Sequence, residues 1–301
     1  MTNLRQLIKA GRQNEFVWRY GFNFMPSVLS AFQPGKQAVP EAARVLADLN
    51  RDGIAITSVE KLLGRSDLFT QLEKDVEKLL EVRDEDLSCL KETAEAKDLV
   101  GNKTFNVELL GSQVAFDPKS VFARFALQDS FLNIANAYFR MLVKLRYFNV
   151  WYTFATSGDA RESQLWHFDR EDNYILKVFL YLRDVDEGSG PFTYAPETHR
   201  KGRNWGSLPE FSLEEGVRRS TDGQMAKIIP ASKWIKAVGK KGTIVFADTR
   251  GFHKGGEART SDRLMYTCMY TSPASDSKRL ITFPAETTSL SRRQRNALEA
   301  N

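Results

Sequence analysis

Near residue 150 the hydrophobic period of this chain changes from that of a helix to that of a strand, and few folds accommodate that order. Before the change, Pro40-Glu-Ala-Ala-Arg-Val-Leu-Ala-Asp-Leu-Asn reads as an amphipathic helix opening on proline, and Asp52-Gly53 ends it ahead of a short Ile54–Thr57 strand. Residues 66–98 carry Leu68, Leu72, Val76, Leu79 and Leu80 at helical spacing behind a candidate Ser66 cap. Phe125–Leu145 predicts a second long helix, with Phe131, Ile134, Ala135, Tyr138, Phe139 and Leu142 on its apolar face. After the change come short β-branched and aromatic runs: residues 150–155, Tyr174–Leu182, Phe192–Tyr194, Lys227–Ile229, Gly242–Phe246 and Leu264–Tyr270. Helices first and strands after predict an α+β chain, a β-sandwich or barrel-like core buttressed by N-terminal helices.

Composition narrows the function classes. The 301 residues, 42% hydrophobic, are enough to bury the core of one large domain. No apolar run approaches the ~18 residues of a membrane span, and the N-terminus has no signal-peptide core. Cys89 and Cys268 are the only cysteines, too few for a disulfide framework, so a reduced, cytoplasmic setting is expected. The net charge of +5 is spread along the chain without the dense basic stripe and stacking aromatics of a nucleic-acid groove. A solvated basic surface is the plain reading, with a few cations at the mouth of a pocket for an anionic substrate as the narrower one. Residues 1–40 are expected as an N-terminal arm whose Phe16, Trp18, Tyr20, Phe22 and Phe24 pack on the domain, with a membrane surface as the alternative. The domain itself is expected over 41–280, with a lid insertion at about 200–240. A basic tail, 281–301, is expected to be exposed and frayed around Ser291-Arg-Arg-Gln-Arg295. Nothing in the pattern specifies an oligomeric state.

The chemistry concentrates in three histidines, His167, His199 and His253. In His167-Phe168-Asp169 strand alternation puts the imidazole and the carboxylate on one face. His253, just after the Gly242–Ala247 strand, is placed to supply a third ligand. Two imidazoles and one carboxylate form the facial triad that leaves positions open for a chelating co-substrate and O₂. A hydrogen-bonded His-x-Asp pair, or a zinc site in a hydrolase, fits the same residue types.

Three longer stretches add to this: Gln164-Leu-Trp-His-Phe-Asp169, Leu176-Lys-Val-Phe-Leu-Tyr-Leu-Arg-Asp-Val-Asp186, and Gly190-Pro-Phe-Thr-Tyr-Ala-Pro-Glu-Thr-His-Arg-Lys201. Gly242-Thr-Ile-Val-Phe-Ala-Asp-Thr-Arg-Gly-Phe-His-Lys-Gly-Gly256 follows, then Arg263, and Leu49-Asn-Arg-Asp-Gly-Ile-Ala-Ile56 stands at the front. Over roughly residues 41–272 these motifs, in this order, resemble the phytanoyl-CoA dioxygenase family. The resemblance implies a double-stranded β-helix (a cupin-like jelly roll) and a non-haem Fe(II)- and 2-oxoglutarate-dependent dioxygenase that consumes O₂ and releases succinate and CO₂. It implies His167, Asp169 and His253 as metal ligands and Arg263 as the partner of the distal 2-oxoglutarate carboxylate. The physics of a guanidinium fork agrees with that role. Arg259 competes for it. Lys177, inside an apolar strand, either faces solvent or meets an anion such as the co-substrate, and Tyr152 and Thr243 are further candidates to donate to 2-oxoglutarate, against a reading as core packing. Glu197 stands where the family has glycine, so the Pro196-Glu-Thr-His199 turn is expected to differ, with His199 structural. Asp169 keeps the carboxylate that halogenating variants lack.

The expected reaction is hydroxylation of an unactivated C–H bond in a small, anionic organic substrate, such as an acyl compound, an acidic sugar or glycolipid, or a natural-product intermediate. Trp205, Phe211, Trp234, Arg218 and Arg219 in the lid, with Arg161, Arg170, Lys201 and Arg203, suggest an apolar part and an acidic group. Desaturation, cyclisation or epimerisation with the same cofactors is the first alternative, and a non-catalytic metal-binding jelly roll is the alternative of another class.

Overall fold

The computed structural model describes residues 11–12, 14–32, 39–64, 67–95, 104–214, 217–282 and 289–298. In chain order the strands are β1 (Ile54–Ser58), β2 (Asn106–Glu108), β3 (Val114–Ala115), β4 (Lys144–Thr153), β5 (Leu176–Tyr181), β6 (Thr193–Tyr194), β7 (Ser212–Glu214), β8 (Val217–Arg219), β9 (Ile235–Lys236), β10 (Thr243–Asp248), β11 (His253–Lys254), β12 (Arg263–Thr271) and β13 (Ile281–Thr282). The main sheet runs β1-β10-β5-β12-β4-β2, and a smaller one runs β11-β6-β9. Both are antiparallel throughout.

Strand alternation divides the main sheet between two cores. Leu176, Val178 and Leu180 of β5, Ile244 and Phe246 of β10, and Leu264, Tyr266, Cys268 and Tyr270 of β12 face a large core. That core is completed by Val45 and Leu49 of the Pro40–Asp52 helix, Leu72 and Val76 of the Asp67–Val82 helix, and Phe131, Tyr138 and Phe139 of the Asp129–Phe139 helix. The intervening residues Phe179, Tyr181, Val245, Ala247 and Met265 face the other way and meet Phe192, Tyr194 and Ala237 from the smaller sheet. Helices therefore cover one face of the main sheet, and a second sheet closes over the other, as expected of a jelly-roll core with helical buttresses. Each large side chain so enclosed contributes about 1.5–3 kcal/mol. No described helix is long and apolar enough to cross a membrane.

The Pro40–Asp52 helix stops at Gly53, which takes φ +83°, and a Cβ there would lie 2.4 Å from the Tyr194 hydroxyl and 2.7 Å from His199 Nδ1. His199 is fully buried in this packing and outside the metal cluster, but neither ring nitrogen has a hydrogen-bond partner among the described residues, so it packs there without the hydrogen bond expected of a structural histidine. Glu197 adopts φ +63°, the left-handed conformation that glycine would take without strain, and its carboxylate pairs with Arg203 at 2.5 Å.

Several sequence expectations need correcting. The helical reading of 66–98 holds over the described residues, though as two helices, Asp67–Val82 and Asp84–Glu95, broken at Arg83; Ser66 and residues 96–98 lie outside the described residues. Phe125–Leu145 is not one helix: Val121–Ala126 ends, Asp129–Phe139 follows, and Lys144 already begins β4. The Asn136 side chain accepts from Val143 N at 2.9 Å and its carbonyl from Met141 N at 3.2 Å, while Arg140 turns left-handed, so the chain leaves the helix there. Lys227–Ile229 is not a strand, because Ile228 and Ile229 both donate back to Met225 O at the end of a helix boxed by Thr221 and Gln224. The basic tail is not frayed at Arg292–Leu298: it is a helix with Ala297 and Leu298 buried and Asn296 O accepting from Lys144 Nζ at 2.7 Å. Of the arm's aromatics only Trp18 packs on the domain, buried with its indole N–H donating to Asp172 at 2.7 Å, while Phe16, Tyr20, Phe22 and Phe24 are exposed; residues 1–10, 13 and 33–38 lie outside the described residues.

Candidate metal centre

Two backbone hydrogen bonds set His167 directly opposite His253: His167 N donates to His253 O at 3.0 Å, and His253 N to His167 O at 2.9 Å. Asp169 N continues the pairing to Thr249 O at 2.8 Å. The loop that delivers His253 is organised by fully buried Asp248, whose carboxylate accepts from Tyr138 Oη at 2.6 Å and from Arg250 N at 3.1 Å. One ligand atom from each of His167, Asp169 and His253 lies within 4.8 Å of the others.

Each imidazole is oriented by a carbonyl. His167 Nδ1 lies 2.8 Å from Leu165 O, and His253 Nδ1 lies 3.0 Å from Gly251 O. Carbonyls only accept, so these contacts put the proton on Nδ1 and leave Nε2 of both rings as the metal-facing lone pair. Burial keeps both rings neutral, His253 at about 4 and His167 well below its ordinary value, where the neighbouring His253 lowers it further. Burial pushes the Asp169 carboxyl upward, but the Lys177 ammonium, 2.7 Å from Oδ2, and the two imidazoles hold it well below the usual carboxylate range. Burial likewise works against the Lys177 ammonium, and Asp169 outweighs it. Two neutral imidazoles, one ionised carboxylate and carbonyls already holding the Nδ1 side of each ring fit a divalent cation.

The cluster lies in a cavity of about 980 Å³ whose walls include Trp151, Phe179, Phe192 and Met265. Arg263 and Lys177 reach the same cavity. Arg263, at the start of β12, is 5% exposed, holds only a 3.5 Å contact to Thr153 Oγ1, and has its Nε buried without a partner. Arg259 is engaged elsewhere: its guanidinium donates to Thr156 O at 2.9 Å, to Gly158 O and to Glu257. Of these two arginines only Arg263 lines the cavity.

Of the residues singled out from sequence, His167, Asp169, His253, Lys177 and Arg263 are brought together, and Tyr152 and Thr243 are not. Tyr152 shares its face with the helix-side core and its hydroxyl donates to Asp262 at 2.9 Å. Its neighbour Trp151 takes the cavity wall, a parity of one residue. Thr243 pairs with Ser58 at the end of β10 remote from Asp248 and the turn to His253. Sequence reading missed Trp151, Phe179, Phe192 and Met265. Once strand register is known, odd-numbered positions on β5 and β12 are the signal that finds Phe179 and Met265. The lid also ties itself to the ligand strands: Asp222 accepts from Trp166 Nε1 at 2.7 Å and from Lys254 Nζ at 2.6 Å, next to His167 and His253.

No curated protein sequence matches this chain. Among solved structures, EctD from S. alaskensis with bound Fe superposes with a TM-score of 0.54 at 17% identity, covering 87% of each chain. The epimerase SnoN in complex with Fe³⁺, alpha ketoglutarate and nogalamycin RO superposes with a TM-score of 0.52 at 16% identity, covering 80% of this chain and 87% of that one. At such identities the likeness speaks for a shared fold. A sequence model of phytanoyl-CoA dioxygenase matches residues 49–265, taking in all three clustered ligands and Arg263. The chain belongs to the phytanoyl-CoA dioxygenase family.

Proposed function

We propose that this enzyme holds iron(II) on His167, Asp169 and His253 and uses 2-oxoglutarate and O₂ to hydroxylate an unactivated C–H bond of a small anionic organic substrate, releasing succinate and CO₂. The observation that carries the reading is the triad whose ligand atoms lie within 4.8 Å of one another, with Arg263 unsatisfied in the same cavity. Iron(II), when bound, supplies O₂ activation. The protein's own residues do the rest. Arg263 grips the distal carboxylate of 2-oxoglutarate with its guanidinium fork. Lys177 keeps Asp169 ionised, and its ammonium adds positive potential on the co-substrate side. Trp151, Phe179, Phe192 and Met265 hold an apolar substrate body and exclude water from the reacting C–H bond. A second reading keeps the cofactors and ends in epimerisation, the activity named for SnoN, or in desaturation or ring closure. Cys89 and Cys268 form no disulfide, which supports a cytoplasmic location.

The test is succinate formation by iron(II)-reconstituted protein given 2-oxoglutarate and air, beside Asp169→Ala. Slow substrate-independent succinate in the wild type and none in the variant supports the reading. No succinate from the wild type, with any candidate acid added, refutes it.

A further inference from the structure

A second buried guanidinium reaches the metal cavity from the lid. Strands β7 and β8 form a hairpin there, and Ser220, just after β8, exchanges both backbone hydrogen bonds with Trp166 at 2.9 and 3.0 Å. Trp166 precedes His167, so β8 lies against the segment that carries the first metal ligand. Alternation then separates two neighbouring arginines. Arg218 turns outward and stacks over Phe211 at 4.3 Å. Arg219 turns inward to the cavity, with its side chain only 8% exposed.

Arg219 is poorly satisfied. Its one ionic contact, Nη2 to Glu162 Oε2, is 3.5 Å, long beside the roughly 2.7–2.9 Å of a good charge-assisted bond. Nε and Nη1 are buried with no hydrogen-bond partner. A guanidinium so placed carries a desolvation penalty that a bound anion would relieve. Gln164 lines the same cavity, and its Oε1 is occupied by Arg161 N at 3.1 Å, so its amide N–H groups are the donors it has left.

The ionic side chains lining the cavity are Arg170, Lys177, Arg219 and Arg263 against Glu108, Asp169 and Glu171. A divalent metal and dianionic 2-oxoglutarate cancel one another, so one net positive charge is left, which one monoanionic group neutralises. With Arg263 committed to the co-substrate, Arg219 is the buried cavity guanidinium left to meet it. The aromatic and Met265 walls supply the complement for an apolar body.

We infer that Arg219 anchors a carboxylate of the substrate, so the enzyme takes an organic monoacid with an apolar body and the lid hairpin sets that specificity. This rests on the oxygenase reading above. The experiment uses full-length protein saturated with zinc(II) and 2-oxoglutarate, so that no turnover occurs, and calorimetric titration with benzoate and with its neutral counterpart benzamide. The wild type binds benzoate roughly 10- to 100-fold more tightly than benzamide. Arg219→Gln loses that preference, Arg219→Lys keeps part of it because charge remains without the fork, and Arg218→Gln leaves it intact. Melting temperatures of all variants exclude misfolding as the cause. Equal affinity for the two probes in the wild type, no measurable benzoate binding, or an undiminished preference in Arg219→Gln overturns the inference. If Arg219→Gln instead weakens 2-oxoglutarate, Arg219 serves the co-substrate and the inference fails while the oxygenase reading stands. If the zinc-loaded wild type takes up no 2-oxoglutarate, the oxygenase reading itself is what fails.

Discussion

Replacing Arg263 with methionine changes stability and co-substrate binding in opposite directions. The side chain is 5% exposed with a single 3.5 Å contact to Thr153, and burial lowers its pKa, so the ligand-free fold carries a charge it does not satisfy. Methionine nearly conserves the volume and removes the charge. Swaps of buried ionic for apolar groups are neutral to stabilising by about 1–4 kcal/mol, and methionine, which does not refill the whole guanidinium volume, falls near the low end, about 1–2 kcal/mol. For a domain of this size that is a rise in Tm of roughly 2–4 °C. The same substitution removes a charge-assisted pair with 2-oxoglutarate, about 2–5 kcal/mol, or roughly 30- to 5000-fold in affinity. The two melting curves therefore cross. Without ligand Arg263→Met melts above the wild type. With zinc(II) and 2-oxoglutarate at about 100 times the wild-type Kd, the wild type gains about 2.7 kcal/mol and the variant no more than about 0.9 kcal/mol, so the wild type melts higher. Differential scanning fluorimetry reads both arms. A variant that melts lower without ligand and shows the same 2-oxoglutarate shift as the wild type would refute the reasoning, because Arg263 would then be a structural residue.

Lys177→Met strands the Asp169 carboxylate, so the metal-free protein loses about 3 kcal/mol or more while zinc(II) restores most of it; equal destabilisation with and without zinc in a thermal melt contradicts this. His253 titrates at about 4 in the fold against an ordinary value of 6.5, so between those values the unfolded chain binds the extra proton and metal-free stability falls as pH drops, by about 3 kcal/mol. The depressed pKa of Asp169 acts in the same sense at lower pH, giving stability that is lost as pH falls below this window. Zinc(II) uptake should accordingly stay level down to about pH 5, and a one-proton decline beginning near pH 6.5 would show that the rings are not held neutral. Gly53→Ala, with its Cβ 2.4 Å from Tyr194 Oη, costs about 3 kcal/mol or more, whereas Gly64→Ala, with φ +69° and ψ −154° but nothing within 4 Å, costs only the backbone strain, about 1–3 kcal/mol. Chemical denaturation of the pair measures the gap, and equal losses would mean that crowding at Gly53 is relieved by movement.

What was legible in the sequence was what short-range pattern encodes. His167-Phe-Asp169 advertises one face of a strand by its spacing alone, and the apolar runs around Val178, Val245 and Tyr266 mark main-sheet strands by composition. The ends of helices were less legible, because side chains acting on the backbone decide them: Asn136 diverts the chain at Met141–Val143, and the Thr221–Gln224 box turns Lys227–Ile229 into the end of a helix. The docked tail helix was hidden because Ala297 and Leu298 are two apolar residues behind a conspicuous run of arginines. Parity was the least legible. Tyr152 and Trp151 are equally good cavity residues until the pairing of β4 with β12 is known, and the bulge between Met269 and Tyr270 shifts that register within the strand. For the same reason Arg218 and Arg219 were indistinguishable until the hairpin and its bridge to Trp166 separated them.

The central claim is that His167, Asp169, His253 and Arg263 together bind iron(II) and 2-oxoglutarate. Anaerobic titration of iron(II)-loaded protein with 2-oxoglutarate, followed by the weak visible charge-transfer absorption of the metal–keto-acid chelate, addresses it most directly. The account predicts a saturable band in the wild type, none in Asp169→Ala, and a weak one that needs far more 2-oxoglutarate in Arg263→Ala. A wild type that binds iron(II) but develops no band at any concentration of 2-oxoglutarate, or an Arg263→Ala titration that overlays the wild type, would contradict it.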